Sequence, residues 1–209
     1  RVEQLARYVD AGFAVVSIDY RLAPETLLPG IIEDLQDAFL WVRRQGPSLF
    51  GIDPDRIAVV GHSAGAQLAA VAALDPTTAT DPQCPYPPAQ ADALVGLAGP
   101  YDVTALAQQA ASLFGPSNQR IEQWDAGNPV VLADERAGMP VLLIHGAADA
   151  LVPASFSEQF AEALTDGGHP VELRLVEGVD HDTVYSADVA GPPIAAWLGL
   201  TAGASPTPQ

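Results

Sequence analysis

Five short runs rich in valine, isoleucine and leucine constrain the fold of this chain more than any other feature. Runs of this length and composition are typical of buried strands, and we predict strands at Ala14–Asp19, Ile57–Val60, Ala93–Ala98, Val141–His145 and Val171–Val176. The segments between them have helical spacing, and we predict helices at Val2–Ala11, Ile32–Arg44, Ala64–Leu74, Ser155–Thr165 and Val184–Leu198. Strands that alternate with helices predict an α/β fold, with a mostly parallel sheet and helices on both faces.

Two segments fit this alternation less well. Asp75–Ala91 is rich in proline and predicts a long loop. Residues 102–139 are longer than an ordinary crossover and carry Phe114 and Trp124. Long insertions often bind ligands, so we predict a cap-like insertion in which both rings line a substrate pocket. The alternative is that the two rings simply pack the insertion onto the core.

We expect one domain over residues 1–200 and a flexible tail over residues 201–209, because the residues of the tail are small, polar or proline.

Acidic residues outnumber basic ones by 26 to 9, a net charge of −17, and every basic residue is arginine. Such a surface repels phosphate backbones and argues against a nucleic-acid partner. The single cysteine, Cys84, excludes an intramolecular disulfide and a cysteine-based metal cluster. No apolar stretch approaches the roughly 18 residues that a membrane span requires.

The segment Gly61–Ala66 reads GHSAGA and lies between a predicted strand and a predicted helix. A Gly-x-Ser-x-Gly sequence can be only a tight turn, but with a strand before it and a helix after it the motif indicates a nucleophile elbow. The serine of an elbow has a strained backbone, and we expect Gly61 and Gly65 to relieve crowding on either side. The context favours Ser63 as a nucleophile. It also places the Ala64 amide at a helix N-terminus, where it could stabilise an oxyanion.

A serine nucleophile needs a base within hydrogen-bond reach, and the chain has four histidines. His181 follows the last predicted strand, at the end of the sheet where reactive groups collect, and is the predicted base. His62 adjoins the serine, so we expect its side chain to pack beside the elbow or to line the substrate pocket. His145 ends a strand, which favours a structural role, and His169 lies at the opposite end of the sheet.

An acid must orient the imidazole of the base and stabilise its protonated form. Asp149 follows the fourth predicted strand, at the same end of the sheet as His181, and is the predicted acid. Asp102, after the third predicted strand, is its rival. The two aspartates that flank His181 are poorly placed to bond its ring. The order Ser63, Asp149, His181 is the one found in α/β-hydrolases.

With these residues in place, the chain resembles the α/β-hydrolases of the esterase/lipase group, in particular relatives of hormone-sensitive lipase and ferulic-acid-esterase-like carboxylesterases. The resemblance covers about residues 1–200. It is carried by VSIDYRLAPE (16–25), by residues 32–70, by PVLLIHGAADALVP (140–153) and by VEGVDHD (176–182). It implies the α/β-hydrolase fold, a small-molecule ester substrate, and neither a metal nor an organic cofactor.

The same resemblance implies roles for individual residues. These are Ser63 as nucleophile, Asp149 as acid, His181 as base, the Ala64 amide as oxyanion donor, and supporting roles for Tyr20–Glu25 and for Glu33 or Asp34. Members of the group carry a His-Gly-Gly-Gly-type loop ahead of the first helix, and its amides complete the oxyanion hole. This chain begins at that helix, so the resemblance implies an N-terminally incomplete chain without the leading strands of the sheet.

The expected function is therefore hydrolysis of carboxylic esters through an acyl-enzyme. Two alternatives stay open. A serine peptidase or amidase of the prolyl-oligopeptidase type has the same elbow and the same three residues. A non-catalytic ligand-binding protein can be built on the same scaffold.

Overall fold

The sheet has four parallel strands in the part of the chain that the structure, a computed structural model, describes: residues 8–10, 12–75, 90–116 and 121–203. The strands are β1 (Ala58–His62), β2 (Ala93–Leu97), β3 (Val141–Gly146) and β4 (Val171–Val176). They lie side by side in the order β1-β2-β3-β4, and each neighbouring pair is parallel. All four carboxyl ends therefore meet at one edge of the sheet, and four of the five predicted strands are confirmed.

Six helices of at least six residues accompany these strands in the described ranges. They are α1 (Gly30–Phe50), α2 (Ala64–Leu74), α3 (Ala107–Phe114), α4 (Ile121–Ala126), α5 (Ser155–Asp166) and α6 (Gly191–Gly203). The helices predicted at 64–74 and 155–165 are confirmed. The helix predicted at 32–44 is longer and continues to Phe50, where Gly51 ends it in the left-handed conformation at φ 65°.

The two faces of the sheet bury separate cores, because successive side chains of a strand point to opposite sides. In β3, Val141 and Leu143 belong to the core that also contains side chains of α1, α2 and α5. Leu142 and Ile144 belong to the other core, with Ile194 and Trp197 of α6. The predicted arrangement of helices on both faces is therefore confirmed.

The predicted strand at Ala14–Asp19 is wrong, because this segment has no regular secondary structure. An open cleft of about 1610 Å³ separates it from β1, and the cleft is lined by side chains from both sides. Val16 stays 41% exposed and Val60 of β1 stays 46% exposed. A run of β-branched residues forms a strand only when a partner edge is within hydrogen-bonding distance, and the edge of β1 lies across this cleft.

The segment at residues 20–25, which follows the segment beside the cleft, is joined to α1 by an ion pair. The Arg21 side chain donates to both carboxylate oxygens of Asp34 at 2.7–3.0 Å, and the Arg21 amide donates to the same carboxylate at 2.8 Å. Hydrogen bonds from Arg21 lower the pKa of Asp34. The pair fastens the segment at residues 20–25 to α1.

The C-terminal helix differs from its prediction at both ends. Turns occupy residues 181–190, and α6 begins at Gly191, where Pro192 and Pro193 fill a first turn that needs no N–H donors. The helix continues to Gly203, three residues into the predicted tail.

Some of the predicted segments lie outside the described residues. They are residues 204–209, most of the predicted helix at 2–11 and most of the predicted loop at 75–91. No helix in the described ranges is long and apolar enough to cross a membrane.

Candidate active site

The turn between β1 and α2 holds Ser63 in a backbone conformation that non-glycine residues rarely adopt, with φ 56° and ψ −126°. The Ser63 amide donates to the Leu97 carbonyl of β2 at 2.9 Å, which fixes the turn to the sheet. A Cβ at Gly61 would lie 2.1 Å from the Gly65 carbonyl oxygen, so the tight turn requires glycine at position 61. Apart from its chain neighbours and the adjoining turn of its own helix, a Cβ at Gly65 would meet no described atom within 4 Å, and the expectation that Gly65 relieves crowding is wrong.

The first residue of α2 is Ala64, whose N–H has no acceptor within the helix because of its position. The Ser63 side chain makes no capping bond to the helix, so its hydroxyl is available for another partner. The positive end of the helix dipole lies at this point. An anion beside Ser63 would therefore meet an available N–H at the start of α2.

The three predicted residues Ser63, Asp149 and His181 lie in hydrogen-bond contact. His181 Nε2 is 2.8 Å from Ser63 Oγ, and His181 Nδ1 is 2.7 Å from Asp149 Oδ2. Because the carboxylate can only accept, Nδ1 carries the hydrogen, and Nε2 then accepts from the serine hydroxyl. Asp149 and His181 are each only 8% exposed, so the chain of hydrogen bonds is largely shielded from water.

The orientation of Asp149 is fixed by its own loop. Its Oδ1 accepts from the Leu151 amide at 2.9 Å and from the Val152 amide at 2.8 Å, which leaves Oδ2 for His181. Burial raises the pKa of Asp149, but the hydrogen bonds from Val152, His181 and Leu151 outweigh burial and lower the pKa overall. The carboxylate is therefore ionised at neutral pH.

The loop that carries Asp149 is braced by His145, which is fully buried at the end of β3. Its Nε2 donates to the Val152 carbonyl at 2.8 Å and lies 3.3 Å from Asp149 Oδ2. Its Nδ1 accepts from the Ser157 hydroxyl at 2.7 Å. The structural role predicted for His145 is confirmed.

The segment from Glu177 to Ala190, here called the histidine loop, crosses the end of the sheet from β4 toward β1. It passes closely over Gly146 of β3, where a Cβ would lie 2.2 Å from the Val179 carbonyl oxygen. The same carbonyl accepts from the Ala148 amide at 3.0 Å. Gly146 therefore allows the loop to approach β3, a role that the sequence analysis missed.

His62 lies beside the elbow and against the histidine loop. Its Nε2 is 2.9 Å from the His181 carbonyl oxygen. The centroid of its ring lies 4.8 Å from that of His181 and 4.5 Å from that of Tyr185. His62 also borders the open cleft, together with Ser63 and Ala64. The Tyr185 contact was missed at the sequence level, because the tyrosine lies 123 positions from His62 in a segment predicted as helix.

The rival acid Asp102 does not contact His181. Its Oδ1 accepts from the amide of Thr104 at 3.0 Å and from the hydroxyl of Thr104 at 2.6 Å, which closes a local turn. The described residues contain no group of three or more histidine, cysteine or acidic side chains that could hold a metal ion.

Phe114 and Trp124 lie in the hydrophobic core, and neither borders the cleft at Ser63. Their exposed fractions are 0% and 4%, and their ring centroids are 4.9 Å apart. Trp124 Nε1 donates to the Gly115 carbonyl at 3.1 Å. A pocket role for these rings stays a prediction, and their burial favours the alternative that they pack the insertion onto the core.

Comparison with known proteins gives consistent matches. The BD-FAE family matches residues 1–164 of the chain. Esterase LipQ of Mycobacterium tuberculosis is 33% identical over 178 residues, which are 78% of this chain and 41% of that protein. The chain spans less than half the length of the curated relatives it matches.

Solved structures show the same fold. A truncated form of a carbohydrate esterase from gut microbiota has a TM-score of 0.79 at 24% identity, over 95% of this chain and 77% of that one. A thermophilic esterase of Thermogutta terrifontis with propionate bound has a TM-score of 0.67 at 25% identity, over 88% and 68%. The parallel sheet described above is thus part of an α/β-hydrolase fold, and the chain belongs to the BD-FAE family.

Proposed function

We propose that the protein is a carboxylic-ester hydrolase that works through an acyl-enzyme formed on Ser63. The observation that carries the proposal is the continuous hydrogen-bonded series from Asp149 through His181 to Ser63. Its three members are brought together from three different strand ends. The esterase names of several relatives support the same reaction class.

In the acylation half, Ser63 Oγ attacks the ester carbonyl carbon while His181 Nε2 takes the hydroxyl proton. The carbonyl oxygen gains negative charge beside the Ala64 N–H, and the ionised Asp149 stabilises the imidazolium. When the intermediate collapses, the bond to the alkoxy oxygen breaks. His181 then gives its proton to the departing alcohol, and the acyl group stays on Ser63.

In the deacylation half, His181 takes a proton from a water molecule, and the resulting hydroxide attacks the acyl carbon. The bond to Ser63 Oγ breaks, His181 returns the proton to that oxygen, and a carboxylic acid leaves. Every proton is accounted for by one imidazole. The bound propionate of the Thermogutta terrifontis esterase supports a short acyl group for this chain's substrate.

Ser63→Ala in the full-length protein tests the assignment, with hydrolysis of p-nitrophenyl acetate and propionate as the assay. Removal of the nucleophile should lower kcat by about 10⁴-fold or more. Ser48→Ala is the matched control, because Ser48 is an exposed residue of α1 whose hydroxyl, among the described residues, donates to the Gln45 carbonyl one turn earlier in the same helix. A Ser63→Ala enzyme within about tenfold of wild type would overturn the proposal.

The two alternatives make different predictions in the same experiment. A peptidase or amidase would also cleave a peptide p-nitroanilide, whose poorer leaving group an enzyme restricted to esters would leave intact. A purely ligand-binding protein would leave both substrates intact and would not be labelled by a fluorophosphonate probe, which reacts with an activated serine.

A further inference from the structure

We propose that His62 is a positioning residue for His181, holding the backbone of the histidine loop at the elbow so that the imidazole stays aligned with Ser63. The inference rests on the proposed function. It assigns to His62 an action on the base, in place of the contact with substrate that its location beside the serine suggests.

The topology of the sheet shows why the histidine loop needs an attachment near Ser63. His181 follows β4, whereas Ser63 follows β1, three strands away in the sheet. At about 4.8 Å per strand, the histidine loop must span roughly 14 Å along the edge of the sheet. Its anchor at β3, where the Ala148 amide bonds the Val179 carbonyl, covers only the first part of this distance.

At the far end of the span, two hydrogen bonds of the described residues join the loop to the elbow. One is the bond between Ser63 Oγ and His181 Nε2, which must break and re-form during the reaction. The other joins His62 Nε2 to the His181 carbonyl at 2.9 Å and involves no reacting atom. The bond from His62 can therefore hold the loop throughout the catalytic cycle.

The chemistry of His62 suits this task. A carbonyl oxygen can only accept, so His62 carries its hydrogen on Nε2 and donates it. The titratable groups near the ring are His181, Asp182, Asp149 and Tyr185. Burial lowers the pKa of His62, so the ring is neutral at neutral pH. A neutral donor places no positive charge beside the imidazolium that forms at His181, only 4.8 Å away between ring centroids.

Tyr185 holds the ring of His62 from the histidine loop itself. The two ring centroids are 4.5 Å apart, within the range of favourable aromatic contacts. The His62 ring thus contacts both His181 and Tyr185, two positions of the same loop. Loss of the hydrogen bond should let the His181 backbone shift, and a misplacement of about 1 Å can cost about 10²-fold in rate.

Three substitutions of His62 separate the hydrogen bond from the packing. His62→Phe keeps a ring and loses the donor, whereas His62→Gln loses the ring and keeps an N–H at a similar reach. His62→Asn carries the same amide on a shorter side chain that cannot reach the His181 carbonyl. The glutamine and asparagine variants are thus matched in polarity and differ in reach, and they decide the question even if the phenylalanine variant does not fold.

We expect His62→Phe and His62→Asn to lower kcat by about 10- to 100-fold with KM within about threefold of wild type. His62→Gln should recover to within about threefold of wild-type kcat. The readouts are kcat and KM on p-nitrophenyl acetate and the rate of fluorophosphonate labelling. A loss confined to KM, or equal kcat for the glutamine and asparagine variants, would overturn the proposal.

The same experiment distinguishes the failure of this inference from that of the proposed function. A wild-type protein that neither hydrolyses the ester nor takes the label would refute the hydrolase assignment. An active wild type whose three His62 variants are all equally active would refute only the positioning role.

Discussion

Replacing Asp149 with asparagine should reverse one hydrogen bond of the site while preserving its shape. The amides of Leu151 and Val152 both donate to Oδ1, at 2.9 and 2.8 Å, so an asparagine must keep its carbonyl oxygen at this place. Its NH₂ group then faces His181 Nδ1, where Asp149 Oδ2 lies 2.7 Å away. Two donors cannot share a hydrogen bond, so the imidazole must move its hydrogen to Nε2. In that tautomer it cannot take the proton of Ser63.

The size of the effect follows from the loss of the base. In another serine hydrolase with the same three residue types, the wrong tautomer lowers kcat by about 10⁴-fold. At 1.36 kcal/mol per tenfold, the loss amounts to about 5.5 kcal/mol of transition-state stabilisation. The cost to folding should be smaller, about 1.5–3 kcal/mol for one hydrogen bond to a charged group. The variant should therefore be folded and nearly inactive.

The difference in stability between wild type and variant should also depend on pH in a defined direction. Although burial opposes it, hydrogen bonding lowers the pKa of Asp149 in the folded protein. The ionised carboxylate thus stabilises the fold above the unfolded pKa of about 3.9, and this contribution is lost as the pH falls through the lower folded value. Asparagine removes the contribution. The difference in unfolding free energy between wild type and variant should be full at neutral pH and should shrink below about pH 4.

The assay compares kcat/KM for p-nitrophenyl acetate in Asp149→Asn and Asp102→Asn, with thermal unfolding of both. Asp102 is the matched control, since its Oδ1 closes a turn with Thr104 and an asparagine can keep both bonds. The control should stay within about twofold of wild type. The reasoning fails if Asp149→Asn keeps more than about a tenth of wild-type activity, or if the control loses as much.

Four further substitutions, one of them a control, test packing that the structure makes specific. Gly61→Ala puts a Cβ 2.1 Å from the Gly65 carbonyl oxygen and should lower the unfolding free energy by about 1–3 kcal/mol or more. The control Gly65→Ala meets no described atom within 4 Å beyond its own helix turn and should melt near the wild-type temperature. Equal melting temperatures for the two variants would contradict this. Gly146→Ala puts a Cβ 2.2 Å from the Val179 carbonyl oxygen, which should displace the histidine loop and lower kcat by about 10²-fold. A variant with wild-type kinetics would rule this displacement out. Tyr101→Phe removes a buried hydroxyl that makes no hydrogen bond of normal geometry among the described residues, so calorimetry should find stability unchanged or raised. A loss above about 1 kcal/mol would reveal a bond to the nearby Gly99 backbone.

Local sequence patterns correctly predicted the strands in which every residue is buried to a similar degree. The two inner strands are buried on both faces, so β2 and β3 are continuous apolar runs in the sequence. The run at Ala14–Asp19 has the same local character but forms no strand, because pairing depends on an edge that the local sequence does not encode. Phe114 and Trp124 were uncertain for a related reason. An aromatic pair in an insertion has the same sequence pattern whether it faces a pocket or the core.

The order of the strands alone does not explain why Asp149, and not Asp102, contacts His181. Asp102 follows β2, which pairs directly with β1 and is thus nearer to Ser63 in strand order than β3. Both aspartates accept from a backbone amide two residues ahead, so their turn chemistry does not separate them. The difference lies in the path of the histidine loop, which passes over the end of β3 at Gly146.

That crossing point fixes the position of His181 relative to Asp149. The Val179 carbonyl is bonded to the Ala148 amide, one residue before Asp149, so His181 emerges close to this carboxylate. The approach requires small residues at the end of β3, and the sequence there is Gly146-Ala147-Ala148. The aspartate that contacts His181 is thus the one preceded by residues small enough for another backbone to cross. The sequence contains this signal, but its meaning depends on knowing which loop crosses there.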